Sequence, residues 1–534
     1  MSWATQAPLE ELGGPAASPG TVALVGGGPG DPGLVGLRAL RLLSTATFVA
    51  YDRLVPPELL PLCPRDCERV YVGKLPDRHA LPQPEINRLL VDKAQKGHAV
   101  VRLKGGDPFV LGRGSEEAQA CVTAGVPFEV VPAVTSAIAA PAYAGIPVTH
   151  RGTAPAFAVV TGHEDPTKDE LQVDWKALAT FPGTLVLLMA VGRIRQIATA
   201  LVAAGKDPAT PVALVGWGTT PRQRTVSATL ADVADTVERA GIGSPAVTVV
   251  GDVAALRDEI AWFDRRPLSG VSVLVPRTRH QAGELSTRLR ALGAEPVEAP
   301  TIAIEPTREP ERLRQRLLAV GEGAYDWVAF TSSNGVAAVW EAIEGLRRDA
   351  RLLAPARLAA VGPGTAEALG RCGLRADLVP ERSTTRGLAE ALIATGGGHH
   401  ATANDPGEPL RVLLPRADIA TPALTAVLDA AGWVTDEVEA YRTVPAEDLP
   451  TSVRHRLERG DIDVLAFASS STVRNFVALL GKPPDSRMRV ASIGPVTSET
   501  CADLGLRVDA EGEPHDLDGL ISAVIAAAAH ADNG

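Results

Sequence analysis

Three segments of the C-terminal half occur twice in the same order, and this repeat constrains the fold more than any other feature of the chain. "SVLVPRTRHQAGELSTRLRALGAEPVEAPT" (272–301) parallels "RVLLPRADIATPALTAVLDAAGWVTDEVEAYRT" (411–443). "YDWVAFTSSNGVAAVWEAI" (325–343) parallels "IDVLAFASSSTVRNFVALL" (462–480), and "LAAVGPGTAEALGRCGLRADLV" (358–379) parallels "VASIGPVTSETCADLGLRVDAE" (490–511). Each copy is an apolar β-branched run, a short Ser/Thr/Gly/Pro turn and an amphipathic helical pattern. That alternation is the βαβ rhythm of a parallel sheet covered by helices. Two such units side by side leave a cleft between them. The turns 331–334, 362–365, 469–472 and 494–497 open helices, where hydroxyls cap and backbone N–H groups face outward. Facing one cleft, they would bind carboxylates; ordinary helix capping is the competing reading.

A chain of 534 residues predicts several domains of about 100–200 residues each. Its 45% apolar but only 4% aromatic content gives an aliphatic α/β core. The net charge of −11 argues against nucleic acid as a partner, which needs a concentrated basic face. A cleft that takes a small anion remains compatible with it. No apolar run reaches the roughly 18 residues that span a bilayer, so no membrane association is expected. Residues 1–20 lack a basic n-region and an apolar h-region, and are expected to be a disordered leader rather than a signal peptide. Five scattered cysteines point to reduced thiols and a cytoplasmic location. Cys63 and Cys67 read as structural, His399 and His400 as a solvated loop pair, and no metal is expected.

The other half opens on "TVALVGGGPGDPGLVGLRALRLLSTATFVAYDRL" (21–54). Gly28, Gly30 and Gly33 follow a strand-like run and Asp52 comes about 20 residues later, the pattern of a dinucleotide-binding loop. The residues between the glycines disagree with that reading. Pro29 and Pro32 each remove an N–H that a diphosphate would use, and Asp31 adds a negative charge. A cationic or neutral ligand suits such a loop better than NAD, and a sulfonium would fit. A second strand–turn–helix, "VVRLKGGDPFVLGRGSEEA" (100–118), repeats the Gly-Asp-Pro signature, so two strand ends could meet around one ligand. The break between the halves falls at "WFDRRPLSG" (262–270).

These motifs carry a resemblance. G-x-G-P-G-D-P, Y-D-R-L-V (51–55), Gly73-Lys74, the long Gly105-Gly106 motif, V-T-S-A (134–137) and Y-A-G-I-P-V-T-H-R (143–151) resemble the tetrapyrrole methyltransferases. Among them the set looks most like uroporphyrinogen-III C-methyltransferase. The resemblance implies two α/β subdomains, about 21–132 and 133–263, with S-adenosylmethionine (SAM) between them and a homodimer through this half. It places SAM against Pro29, Gly105, Gly106, Asp107, Val110, Thr135, Ser136, Met189 and Gly218. It makes Asp52 the proton acceptor and Lys74 the proton donor. A carboxylate suits that role, because a pyrrole carbon that takes a methyl must afterwards lose a proton. Ala133 and Ser115 stand where the family often has glycine.

Residues 271–534, after a linker at 264–270, resemble uroporphyrinogen-III synthase through "VLVPR", "FTSSNGV", "AVGPGTAEAL", "LLPRAD", "EAYRT" and "FASSSTVRNF". That family implies two α/β lobes on a two-stranded connection, lobe one about 271–300 plus 445–534 and lobe two about 301–444. Its reaction closes hydroxymethylbilane with inversion of ring D, and positioning supplies much of the rate. Arg277, Ser332, Ser333, Ser469, Ser470 and Thr497 are the candidate substrate contacts. Tyr441 is either a weak acid for the departing hydroxyl or an interlobe packing residue. Two other functions stay open: a methylase of a later corrin intermediate fused to a non-catalytic binding module, and an NAD-dependent dehydrogenase.

Overall fold

The computed structural model describes residues 9–73, 81–163, 173–276, 279–395, 409–419, 422–481, 484–485 and 487–529. Lys74, Arg277, His399 and His400 lie outside the described residues. Among those described, no helix is long and apolar enough to cross a membrane.

The described residues build four five-stranded sheets in an α/β arrangement. The first contains β1 (Thr21–Gly26), β2 (Phe48–Tyr51), β3 (Glu68–Tyr71), β4 (Ala99–Lys104) and β5 (Phe128–Val131). All its pairs are parallel, in the order β3-β2-β4-β1-β5. Successive side chains of a strand point to opposite faces, so a strand buried on both reads as an unbroken apolar run. In β1, Ala23 and Val25 pack toward Leu42 and Leu43 of the helix Leu37–Leu43, whereas Val22 and Leu24 meet Leu90 and Cys121 from two helices opposite. Residues 9–20, expected to be disordered, pack instead on the helix Leu37–Leu43. Leu9 is buried, Arg38 Nη1 donates to Gly13 O at 3.0 Å, and Ala17 N donates to Thr45 Oγ1 at 2.9 Å.

The second sheet holds β6 (Phe157–Thr161), β7 (Thr184–Leu188), β8 (Pro211–Gly216), β9 (Arg224–Thr229) and β10 (Ala246–Val250). Its order is β6-β7-β10-β8-β9, with only β6 and β7 parallel. The segment 264–270 is packed rather than loose. Asp264 accepts from Gln223 at 2.7 Å, Arg266 lies 3.5 Å over the Phe263 ring, and Leu268 is fully buried in the next core.

The remaining strands are β11 (Ser272–Val275), β12 (Glu295–Glu298), β13 (Ile302–Pro306), β14 (Trp327–Phe330), β15 (Arg357–Ala360), β16 (Arg411–Ala417), β17 (Val434–Pro445), β18 (Val464–Phe467), β19 (Arg489–Ser492) and β20 (Ala510–Glu511). They form the orders β12-β11-β18-β19-β20 and β13-β17-β16-β14-β15. The repeats seen in the sequence are therefore not the lobes. The first segment of repeat one (β11, β12) pairs with the later segments of repeat two (β18, β19), and the reverse holds for β16 and β17 with β14 and β15. β17 permits the exchange. It runs parallel to β16 and then, at Tyr441–Pro445, antiparallel to β13, which makes a two-stranded connection between the lobes.

Candidate active sites

The ends of β1 and β4 are adjacent, so the two glycine loops meet as their spacing suggested. Gly106 N donates to Gly28 O at 2.7 Å and Gly27 N donates to Lys104 O at 2.7 Å. Gly30 sits at a φ of +148°, where a Cβ would lie 2.6 Å from Thr220 Cγ2. Beyond these loops a cavity of about 870 Å³ opens between the first two sheets. Pro29, Gly105, Gly106, Val110, Ser136, Met189 and Gly218 all line it. Gly218 must lack a side chain, because a Cβ there would lie 2.4 Å from Ala140 Cβ.

Two expected contacts do other work. Asp107 is taken up by its own loop: Oδ1 accepts from Phe109 N at 2.8 Å and Val110 N at 3.2 Å, and Oδ2 accepts from Ala133 N at 3.0 Å. Thr135 caps the helix Ser136–Tyr143. Neither lines the cavity, because each side chain satisfies backbone N–H groups that the turn leaves unpaired. Asp31 is likewise not aimed at a ligand. Its carboxylate accepts from Tyr143 Oη at 2.8 Å and Gly33 N at 2.7 Å, and its N–H donates to Thr219 Oγ1 at 3.0 Å. It thereby ties the first subdomain to the second; burial and this bond push the Tyr143 phenol up.

Asp52 sits at the rim between cavity-lining residues. Oδ2 accepts from Arg102 Nη2 at 3.2 Å, and Oδ1 from Leu54 N at 3.3 Å and Gly105 N at 3.4 Å. Below it lies a buried charge cluster that went unrecognised in the sequence. Arg102 Nε and Lys104 Nζ donate to Glu117 Oε1 at 3.0 and 3.1 Å, and Gln83 Nε2 donates to the same oxygen at 3.1 Å. The signal was present: two cations at period two inside an apolar strand share one buried face and require counter-charges. Burial, followed by Arg102, pulls the Lys104 amine down. Also missed were His163, Trp217 and Arg222, which line the cavity from loops, and Gln196, on the helix Ile194–Ala203; Arg53 and Leu54 line it from the Y-D-R-L-V motif, which had not been assigned a contact.

A second cavity, of about 410 Å³, is lined by Pro276, Thr301, Ile302, Ser469, Ser471, Thr472 and Asn475. Ser469 is the expected contact placed there, and its hydroxyl also caps the helix Ser470–Leu480. Ser470 is not: its Oγ donates to Val496 O at 3.0 Å and accepts from Thr500 Oγ1 at 2.8 Å, locking two helices together. Thr497 is buried in the first turn of the helix Pro495–Asp503. In the other lobe Ser332 caps the helix Ser333–Gly345, and its Oγ lies 2.9 Å from Tyr441 Oη. Tyr441 is buried in that lobe's core, so the packing role is real whatever its chemistry. The four hydroxyl turns divide between two sheets, and only 469–472 borders this cavity.

Comparison with known proteins fits both halves. Residues 21–234 match the model of the tetrapyrrole (corrin/porphyrin) methylases, and residues 283–522 that of uroporphyrinogen-III synthase HemD. A porphyrin biosynthesis protein HemD from Ruminiclostridium josui is 36% identical over 506 residues, 95% of this chain and 98% of its own. A uroporphyrinogen-III C-methyltransferase from Bacillus subtilis is 39% identical over 72% of this chain and 77% of its own. An S-adenosyl-L-methionine-dependent uroporphyrinogen III methyltransferase from Methanosarcina barkeri is 51% identical over 45% of this chain and 94% of its own. With a relative aligned over nearly its whole length, the chain belongs to the family of bifunctional tetrapyrrole-biosynthesis enzymes that fuse a tetrapyrrole methylase to a uroporphyrinogen-III synthase.

Proposed function

We propose that the C-terminal half closes hydroxymethylbilane to uroporphyrinogen III with ring D inverted, and that the N-terminal half methylates that product at C2 and C7 to give precorrin-2. The observation that carries the second claim is the glycine-walled cavity between the first two sheets. Its volume of about 870 Å³ is the size of a cofactor site. Its loops keep Gly27, Gly33 and Gly106 N–H groups engaged with the protein, which disfavours a diphosphate. The Methanosarcina relative's dependence on S-adenosylmethionine supports the same ligand here.

SAM supplies a sulfonium methyl group, which a pyrrole β-carbon takes as the C–S bond breaks and S-adenosylhomocysteine leaves. Pro29, Gly105, Gly106, Val110, Ser136, Met189 and Gly218 shape the cofactor wall. Asp52 accepts the proton that the methylated macrocycle loses, with Arg102 holding its carboxylate; Lys74 serves as the donor. In the synthase half Arg277, Ser332, Ser333 and Ser469 hold substrate carboxylates, and the Tyr441 phenol assists departure of the hydroxyl as water. The exposed apolar side chains of Phe109, Leu111, Val134 and Ile138 support a homodimer through the methylase half.

The full chain, given hydroxymethylbilane and SAM, is expected to yield a twice-methylated product, heavier than uroporphyrinogen III by two CH2 units because each methyl gained costs one proton, read by mass spectrometry. Without SAM it should yield the type III isomer. Type I alone, as formed spontaneously, removes the synthase claim; an unmethylated or singly methylated end product removes the methylase claim.

A further inference from the structure

Two ion pairs from the synthase half land on the rim of the methylase cavity. Glu295, at the start of β12, lies 3.5 Å through Oε1 from Arg222 Nε. Its other oxygen accepts from Arg456 Nη2 at 2.7 Å and Ser272 Oγ at 3.2 Å, which fixes the carboxylate to the sheet of the first synthase lobe. Arg222 in turn lies 4.0 Å over the Trp217 ring, and both side chains line the methylase cavity. Arg290 reaches Glu58 at 4.0 Å, in the turn directly after the cavity-lining Pro56 and Pro57.

The loop so braced needs support. Trp217 and Thr219 occupy left-handed backbone at φ of +48° and +71°, which non-glycine residues adopt at a cost. Thr219 N donates to Gln223 Oε1 at 2.8 Å, and Gln223 donates to Asp264 in the segment leading to the synthase half. Contacts therefore run from the cavity through Trp217, Arg222 and Glu295 to Arg456 without interruption.

We infer that the synthase half completes the methylase's cofactor site, with Glu295 as a positioning residue that holds Arg222, and through it Trp217, against the cavity. This rests on the reading of that cavity as the SAM site. Arg222 is half exposed, so the pair is a weak one that salt screens.

The test uses the full chain and S-adenosylhomocysteine as the probe. In Glu295→Gln, its dissociation constant is expected to rise about two- to fivefold at about 50 mM salt, and the difference to shrink as salt is raised. The KM for SAM should rise with kcat unchanged, and the type III isomer should still form, which shows the synthase half intact. In the cycle with Arg222→Gln, the two effects should be non-additive. An unchanged dissociation constant in Glu295→Gln, or strictly additive effects, overturns the inference. Absence of binding to the wild-type chain would instead sink the SAM assignment itself.

Discussion

Gly106 donates its backbone N–H to the carbonyl of Gly28 at 2.7 Å, just past the last paired residues of β1 and β4. That bond closes the two glycine loops on each other. A dinucleotide loop of the same spacing would aim its N–H groups at phosphate. Here they serve the protein, and the loops offer the cavity a glycine and proline wall.

Gly218→Ala tests how tightly that wall is drawn. The new Cβ would lie 2.4 Å from Ala140 Cβ and 3.0 Å from its backbone Cα, so the chain must move. S-adenosylhomocysteine binding, measured by calorimetry, should weaken about tenfold or more, or roughly 1.4 kcal/mol. Isomer formation by the other half should be unaffected.

Arg102→Met removes one cation from the buried cluster and leaves Glu117, which is fully buried, short of a partner. Breaking such a pair costs about 3–5 kcal/mol. The melting transition of the N-terminal half should fall clearly. Glu117 keeps Lys104 at 3.1 Å, so adding Glu117→Gln should destabilise the variant less than the same change destabilises wild type; a double variant as unstable as the sum would contradict the charge-balance account.

Tyr441→Phe separates acid catalysis from packing. The ring stays in the core and the bond to Ser332 is lost, a stability cost of about 0.5–1.5 kcal/mol. Synthase kcat is expected to fall about tenfold or more with KM little changed, in line with typical acid–base contributions. A kcat equal to wild type assigns the residue to packing alone.

Tyr325 donates to Asp436 Oδ2 at 2.5 Å, and burial with this bond pushes its phenol up to about 12 from a usual 10. The folded state keeps the proton where the unfolded chain releases it. The stabilisation is thus complete below pH 10 and is lost as pH rises from 10 toward 12. Melting scans at rising alkaline pH should show Tyr325→Phe losing less stability than wild type.

The strands were the most legible part, because β1, β14 and β18 are buried on both faces and read as apolar runs, while β4 does so apart from Arg102 and Lys104. The repeat showed the βαβ rhythm but not its partners. Pairing of β11 with β18 rather than with β14 is a long-range choice, and no local pattern in either segment records it. The loops that wall the first cavity were legible through Gly105 and Gly218, where close approach of neighbouring atoms dictates the residue. The side chains of Asp107, Thr135 and Ser470 bond to backbone groups for one reason: a short polar side chain beside a turn serves the backbone as readily as a ligand. Trp217 and Arg222 left no trace, since their place depends on a strained loop and on the other half of the chain.

The exchanged repeats set an order of events during synthesis. The sheet built on β14 has all its strands once residue 445 has emerged, and can close around Leu317, Phe330 and Leu413. The sheet begun earlier cannot. β11 and β12 must wait for β18, at Val464–Phe467, with an unpaired edge exposed. The lobe begun first is therefore completed last, and its waiting edge is the stretch of the nascent chain most in need of protection from wrong partners.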